Sequence, residues 1–126
     1  MITKLFAIAL AAVLGLYTGT ATTDVIGTHE SQDNLVLNVN DNGGVKSVSL
    51  SGYAVLEWKD VSITAKLTTD AKGNITAFED VVVKGAPAKV KTVTGVLSDS
   101  KADITLKGKA AGVFNFQVVY KASRTK

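Results

Sequence analysis

The stretch Val61-Ser62-Ile63-Thr64-Ala65-Lys66-Leu67-Thr68 decides the fold class. Odd positions are apolar and even positions polar, the period of a strand with one buried face. Wound as a helix, the same four apolar side chains would point to two opposite sides. Upstream, Leu35, Leu37 and Val39 alternate with Val36, Asn38 and Asn40. Asp41-Asn42-Gly43-Gly44 follows, a hairpin turn built from residues that tolerate positive φ. The chain returns with Val48, Leu50, Gly52, Ala54, Leu56 and Trp58 in one parity. That pattern predicts one long strand, bent at Gly52. Ser47, Ser49, Ser51 and Glu57 then face solvent, with Tyr53 and Val55 as exceptions, and Lys59-Asp60 makes the break.

Downstream, residues 69–74 form a polar turn and residues 75–83 a strand of mixed phase. A bulge near Glu79-Asp80 would reconcile its two halves. Gly85-Ala86-Pro87 interrupts, because proline has no N–H for the ladder. Residues 89–98 are strand-like, with Val90 and Val96 in one phase and Val93 and Leu97 in the other. Asp99-Ser100-Lys101 turns the chain into a short strand through Ile104 and Leu106, ending at Gly108. After a small-residue bend, Phe114, Phe116, Val118 and Tyr120 alternate with Asn115, Gln117 and Lys121. The pattern counts eight strands, nine if residues 24–28 pair, and no connection is long enough for a crossover helix. The expectation is an all-β fold, a single small antiparallel β-barrel of about eight strands, with a β-sandwich as the alternative. Pairing of the first and last strands would decide between them.

The N-terminus carries a different signal. Residues 1–4 hold one lysine, residues 5–17 are apolar apart from a tyrosine hydroxyl, and Gly19-Thr20-Ala21 offers small residues at −3 and −1 of a cleavage site. This is the layout of a signal peptide, residues 1–21, with cleavage near Ala21. The apolar run is shorter than the roughly 20 residues of a bilayer span. With no cysteine in the chain there is no lipobox. The expected product, residues 22–126, is one domain without a stable membrane span, secreted or periplasmic. Disulfides are impossible, so packing and sheet hydrogen bonds must hold it together.

Charge is divided along the chain. Residues 22–83 carry four lysines against nine acids, and residues 84–126 carry nine bases against two acids. The expectation is that the halves interleave in one sheet and opposite charges meet across strands.

Catalytic chemistry is sparse. His29 is the only histidine. It lies in Gly27-Thr28-His29-Glu30-Ser31, expected to be an exposed loop, where neither a serine triad nor a metal with Glu30 and Asp33 is expected. Acids fall mainly at turns, which turn chemistry explains without a carboxylate pair. Asn74-Ile75-Thr76 fits a glycosylation sequon. No catalytic residue, metal or cofactor is expected.

Two groups remain. Lys84, Lys89, Lys91, Lys107 and Lys109 would form a basic patch if the strands carrying them pair as a hairpin. Such a patch suits a phosphate, an anionic glycan or a lipid head group; nucleic acid is not expected, because no aromatic platform accompanies the lysines. The aromatics Trp58, Phe78, Phe114, Phe116 and Tyr120, with Tyr53, either line a ligand cavity or fill the core.

Tyr17-Thr18-Gly19-Thr20, the hairpin-like residues 97–106 and the strand Phe114-Asn115-Phe116-Gln117-Val118-Val119-Tyr120 resemble parts of the small secreted calycin-like β-barrel domains of Bacteroidetes. The resemblance implies a barrel, export and an apolar ligand, and it supplies no catalytic residues. In that family the Tyr-Thr-Gly-Thr opening belongs to the first strand, whereas here it abuts the expected cleavage site. The functional expectation is an exported non-enzymatic binding module for a small apolar or anionic ligand. The alternative is a structural, adhesin-like or inhibitory interaction protein of the cell envelope.

Overall fold

The computed structural model describes residues 13–126. Residues 1–12, the first part of the expected leader, lie outside the described residues. The chain forms eight antiparallel strands: β1 (Val13–Val25), β2 (Thr28–Asn42), β3 (Val45–Val55), β4 (Trp58–Thr69), β5 (Ile75–Lys84), β6 (Ala88–Leu97), β7 (Lys101–Ala110) and β8 (Phe114–Arg124). Their order in the sheet is β5-β4-β3-β2-β1-β8-β7-β6. The sheet curls into a nearly closed barrel, as the alternation predicted. The first and last strands pair, from Tyr17↔Arg124 to Val25↔Phe116.

The barrel's seam lies elsewhere than at its termini. β5 and β6, consecutive in sequence, share no ladder; they are bridged only at Asn74↔Val96 and by Leu97 N–H donating to the Gly73 carbonyl at 2.8 Å. Consequently β5 contributes half-buried Ile75, Val81 and Val83 where other strands contribute buried residues.

The core is the inward set of the remaining strands, including Leu35, Leu37 and Val39 of β2 and Val61, Ile63, Ala65 and Leu67 of β4. Bulges decide which side chains join it. In β3 the register shifts at Gly52, whose φ of 78° suits glycine. The shift moves Tyr53 and Val55 onto the inward phase of Leu50, so the expected single parity through Ala54, Leu56 and Trp58 is wrong. The turn lies at Leu56-Glu57, three residues before the expected break, and Lys59-Asp60 is a bulge at the start of β4. The expected bulge near Glu79-Asp80 is present, with Asp80 at φ 51°. A bulge at Lys91 brings Val90 into phase with Val93 and Leu97.

β1 is flanked on both sides. It pairs with β2 from Val13↔Asp41 to Val25↔Thr28 and with β8 along the opposite edge. Tyr17 and Ala21, within the expected leader, are buried core residues. Gly19 sits so close to β8 that a Cβ there would run into the Lys121 carbonyl and Ala122.

The halves of the chain do not interleave. β1–β5 occupy one continuous arc and β6–β8 another, so the charge division along the sequence becomes a division around the barrel. The expected cross-strand neutralisation between halves is absent: among the described residues the lysine ion pairs are Lys46–Asp41 and Lys66–Asp80, both within the first arc.

All three tyrosines are buried, each with a hydroxyl partner. Tyr17 donates to the Ser98 carbonyl at 2.6 Å. Tyr120 reaches the Leu35 carbonyl at 2.8 Å and that of Tyr17 at 3.2 Å, and Tyr53 pairs with the Thr23 hydroxyl. No buried side-chain polar atom among the described residues lacks a partner. Desolvation raises the pKa of each phenol, that of Tyr120 to about 12.

A chain starting at Thr22 would lose most of β1 and leave β2 and β8 with unpaired facing edges. It is expected to show no cooperative thermal transition by circular dichroism, whereas the chain from Val13 melts cooperatively. The tyrosines give a second expectation. Their folded pKa values exceed the unfolded value of 10.0, so their contribution is complete below pH 10 and is lost as pH rises through the folded values, about 12 for Tyr120. Absorbance of tyrosinate should therefore appear together with unfolding, and Tyr120→Phe should weaken that alkaline dependence.

Candidate functional site

The four turns at one end of the barrel, the upper end, are Ile26-Gly27, Leu56-Glu57, Gly85-Ala86-Pro87 and Ala111-Gly112-Val113. Two ladder interruptions converge beneath them. One is the β5–β6 seam. The other is the upper part of β2 and β3, whose ladder runs only from Asn42↔Val45 to Leu37↔Leu50. Above it, side chains replace backbone pairing. The Gln32 amide donates to the Gly52 carbonyl at 3.0 Å and accepts from the Ala54 N–H at 2.8 Å, and the Glu30 carboxylate accepts from the Leu56 N–H at 3.2 Å.

This splaying leaves an apolar cavity of about 50 Å³ under the upper turns. Trp58, Val83, Pro87, Val90 and Phe116 form much of its wall, and Thr23 and Tyr53, whose hydroxyls are bonded to each other, also line it and present apolar atoms to it. A second apolar void of about 40 Å³ continues down the barrel. Ile63 and Val118 line both.

The structure sorts the aromatics. Trp58 and Phe116 line the upper cavity and Tyr120 the lower void. Phe78 and Phe114 line neither. Phe78 pairs with Leu67 and shares its inward face, yet the seam leaves it 38% exposed. Phe114 stands on the upper rim, 44% exposed. Thr23, Val83, Pro87 and Val90 were not anticipated as cavity residues. Thr23 and Pro87 carry no apolar pattern that could have marked them.

Four of the five patch lysines come together. β6 and β7 pair as a hairpin, with Lys89 directly opposite Lys109 and Thr92 opposite Lys107. Lys91 occupies the bulge between them. Open outer grooves run along this face, bordered by Lys89, Lys91, Lys107 and Lys109. Lys84, on β5 across the seam, borders neither. Across β8 the facing partners are Gln117 and Asn115. No ion pair among the described residues includes these lysines. Like charges set directly opposite on a sheet disfavour the pairing.

His29 lies in β2, not in a loop, and meets Asp24 of β1 at 2.5 Å on the outer face. Below that pair, Thr22 meets Ser31 and Thr20 donates to Asp33. These are rungs of one polar ladder. The Ser31 hydroxyl is bonded to Thr22 rather than to the imidazole. Among the described residues no three His, Cys, Asp or Glu side chains gather as a metal set.

Comparison of the chain with family models, curated proteins and solved structures found no match. The site therefore rests on its own geometry.

If the Lys89–Lys109 opposition is a stability cost kept for binding, Lys89→Glu should raise the denaturation midpoint, by about 0.5 kcal/mol in stability. Urea melts of the two proteins in low salt measure it, and the gain should shrink in high salt.

Proposed function

We propose that the protein is an exported, non-enzymatic β-barrel binding module whose upper cavity takes a straight alkyl chain. The observation that carries this reading is a wholly apolar cavity placed between two interruptions of the sheet ladder. Its size argues for the shape of the ligand. At about 50 Å³ it is smaller than the roughly 150 Å³ void that admits a benzene ring. Such a space holds only the first few methylenes of a chain, and a longer one enters as the barrel widens toward the lower void, which shares Ile63 and Val118 with it. The β5–β6 seam supplies the means of widening, because no ladder bonds need break there.

Export follows from the charged start, the apolar run and the small residues near it. Tyr17 and Ala21 are core residues, so cleavage at Ala21 would remove most of β1 from the barrel, and the export reading is supported by the charged start and the apolar run.

Trp58 is the sole tryptophan and lies in the cavity wall, so it reports occupancy directly. Titration with decanol or decanoate is expected to shift its emission to the blue, saturably. Val90→Phe fills the space and should abolish the shift while leaving the β circular dichroism spectrum in place. A wild-type emission spectrum indifferent to alkyl chains would defeat the reading.

A further inference from the structure

The two ends of the barrel follow different turn chemistry. Lower turns use Asn42-Gly43-Gly44, residues 70–74 closed by Asp70, and Ser98-Asp99-Ser100. Asp70 accepts from the N–H groups of Lys72 and Asn74, as a polar turn residue should. Upper turns place apolar residues where the backbone is left-handed: Ile26 at φ 51°, Leu56 at 54° and Ala111 at 51°. A β-branched residue there is an outlier, and Asn or Gly would relieve it. The tips are also exposed, Ile26 by 53% and Val113 by 66%, with Phe114 beside them. Leu56 is half-buried in the cavity wall, but burial within the chain does not account for Ile26, Val113 and Phe114.

Position adds the second argument. Around the rim, the β7–β8 tip lies between the β1–β2 and β5–β6 tips, and Ala111 N–H donates to the Pro87 carbonyl at 2.6 Å. The lysine face of β6 and β7 stands directly below this sector. Of the acids near the upper end, Asp24 borders the groove of Lys91, Lys107 and Lys109 and is paired there with His29, and Glu30 accepts from the Leu56 N–H, so four lysines share this face with one acid. Glu57 and Asp60 belong to the β3–β4 hairpin, which neighbours the β5–β6 tip at Gly85 and lies opposite the β7–β8 tip.

We infer that this rim docks on an anionic lipid surface, with Ile26, Val113 and Phe114 entering the head-group layer and Lys89, Lys91, Lys107 and Lys109 meeting the phosphates. Separate apolar tips on a ring suit a fluid layer, which needs no matching contour. The lysines supply the charge complement to anionic lipid. The barrel does not span the layer, because its outward face carries lysine, threonine and serine and its inward face is apolar, the reverse of a spanning barrel. The inference stands independently of the alkyl ligand, since it uses only the rim and the outer face.

Co-sedimentation of the full chain with vesicles tests it, using phosphatidylcholine alone and phosphatidylcholine with phosphatidylglycerol. Binding is expected to the mixed vesicles and to fall with salt. The pair Ile26→Asn and Val113→Asn should lower partitioning by at least about tenfold. The pair Lys89→Gln and Lys109→Gln should lower it by about fivefold per lysine. Lys72→Gln at the lower end should leave it unchanged. Ile26→Asn should hold or raise the thermal midpoint, because asparagine fits the left-handed turn, so lost binding is separable from lost folding. Equal binding to both vesicle types, binding untouched by either pair, or no binding at all would overturn the inference. So would size-exclusion evidence that the apolar tips join two copies of the chain.

Discussion

β1 supplies the hydrogen bonds that convert two open arcs into one barrel. Its pairing with β8 is the one ladder that joins the first arc to the second, while its other edge is held by β2. Much else follows from that double pairing. It brings the Tyr120 hydroxyl under the carbonyls of Tyr17 and Leu35, and it requires Gly19, where any side chain would meet the β8 backbone. It also separates the charges. With β1 as the junction, the basic strands stay together on one side instead of alternating with the acidic ones.

The same closure fixes where the barrel is loose. A sheet of these eight strands bonded at β1–β8 has its remaining edges at β5 and β6. Those edges are tied at the lower end by the Asn74↔Val96 bridge and at the upper end by residues 85–87, with no ladder between. The second loosening, between upper β2 and β3, is offset by Gln32 and Glu30, whose side chains take over backbone partners. Both gaps lie on the same half of the molecule as the apolar cavity and the basic face. The lower half is conventionally closed, with polar turns and a packed tyrosine.

Much of this was legible in the sequence because side-chain alternation is a direct record of burial. Residues 61–68 and 35–40 announced their strands and their inward faces without error. Phase-changing devices were harder. Glu79-Asp80 could be identified because apolar residues on both sides of it disagreed in parity. Gly52 was recognised as a bend, but the flip it imposes on Tyr53 and Val55 was not, because small Ala54 and large Leu56 continue the old parity. β1 was hidden by an overlap of codes: an apolar run followed by small residues reads equally as a leader and as a strand that must approach its neighbour closely. The lysine patch was visible from spacing, since a hairpin of β6 and β7 aligns those positions. The cavity was not, because it arises from missing backbone pairs rather than from any residue type.

Strand order carries one more consequence. Read as β6-β7-β8-β1-β2-β3-β4-β5, every strand follows its neighbour, a plain up-and-down meander. The chain's own order is that meander cut between β8 and β1, with its ends β5 and β6 joined by residues 85–87, while Leu16 and Lys126 exchange hydrogen bonds where the meander would be continuous. The ladder between β1 and β8 thus joins residues about a hundred positions apart, whereas the other ladders close over short hairpins. Loop-closure entropy places such a contact late. Until it forms, the two arcs are free-standing curved sheets with bare edges, and the molecule's exposure to misassembly is concentrated in that interval.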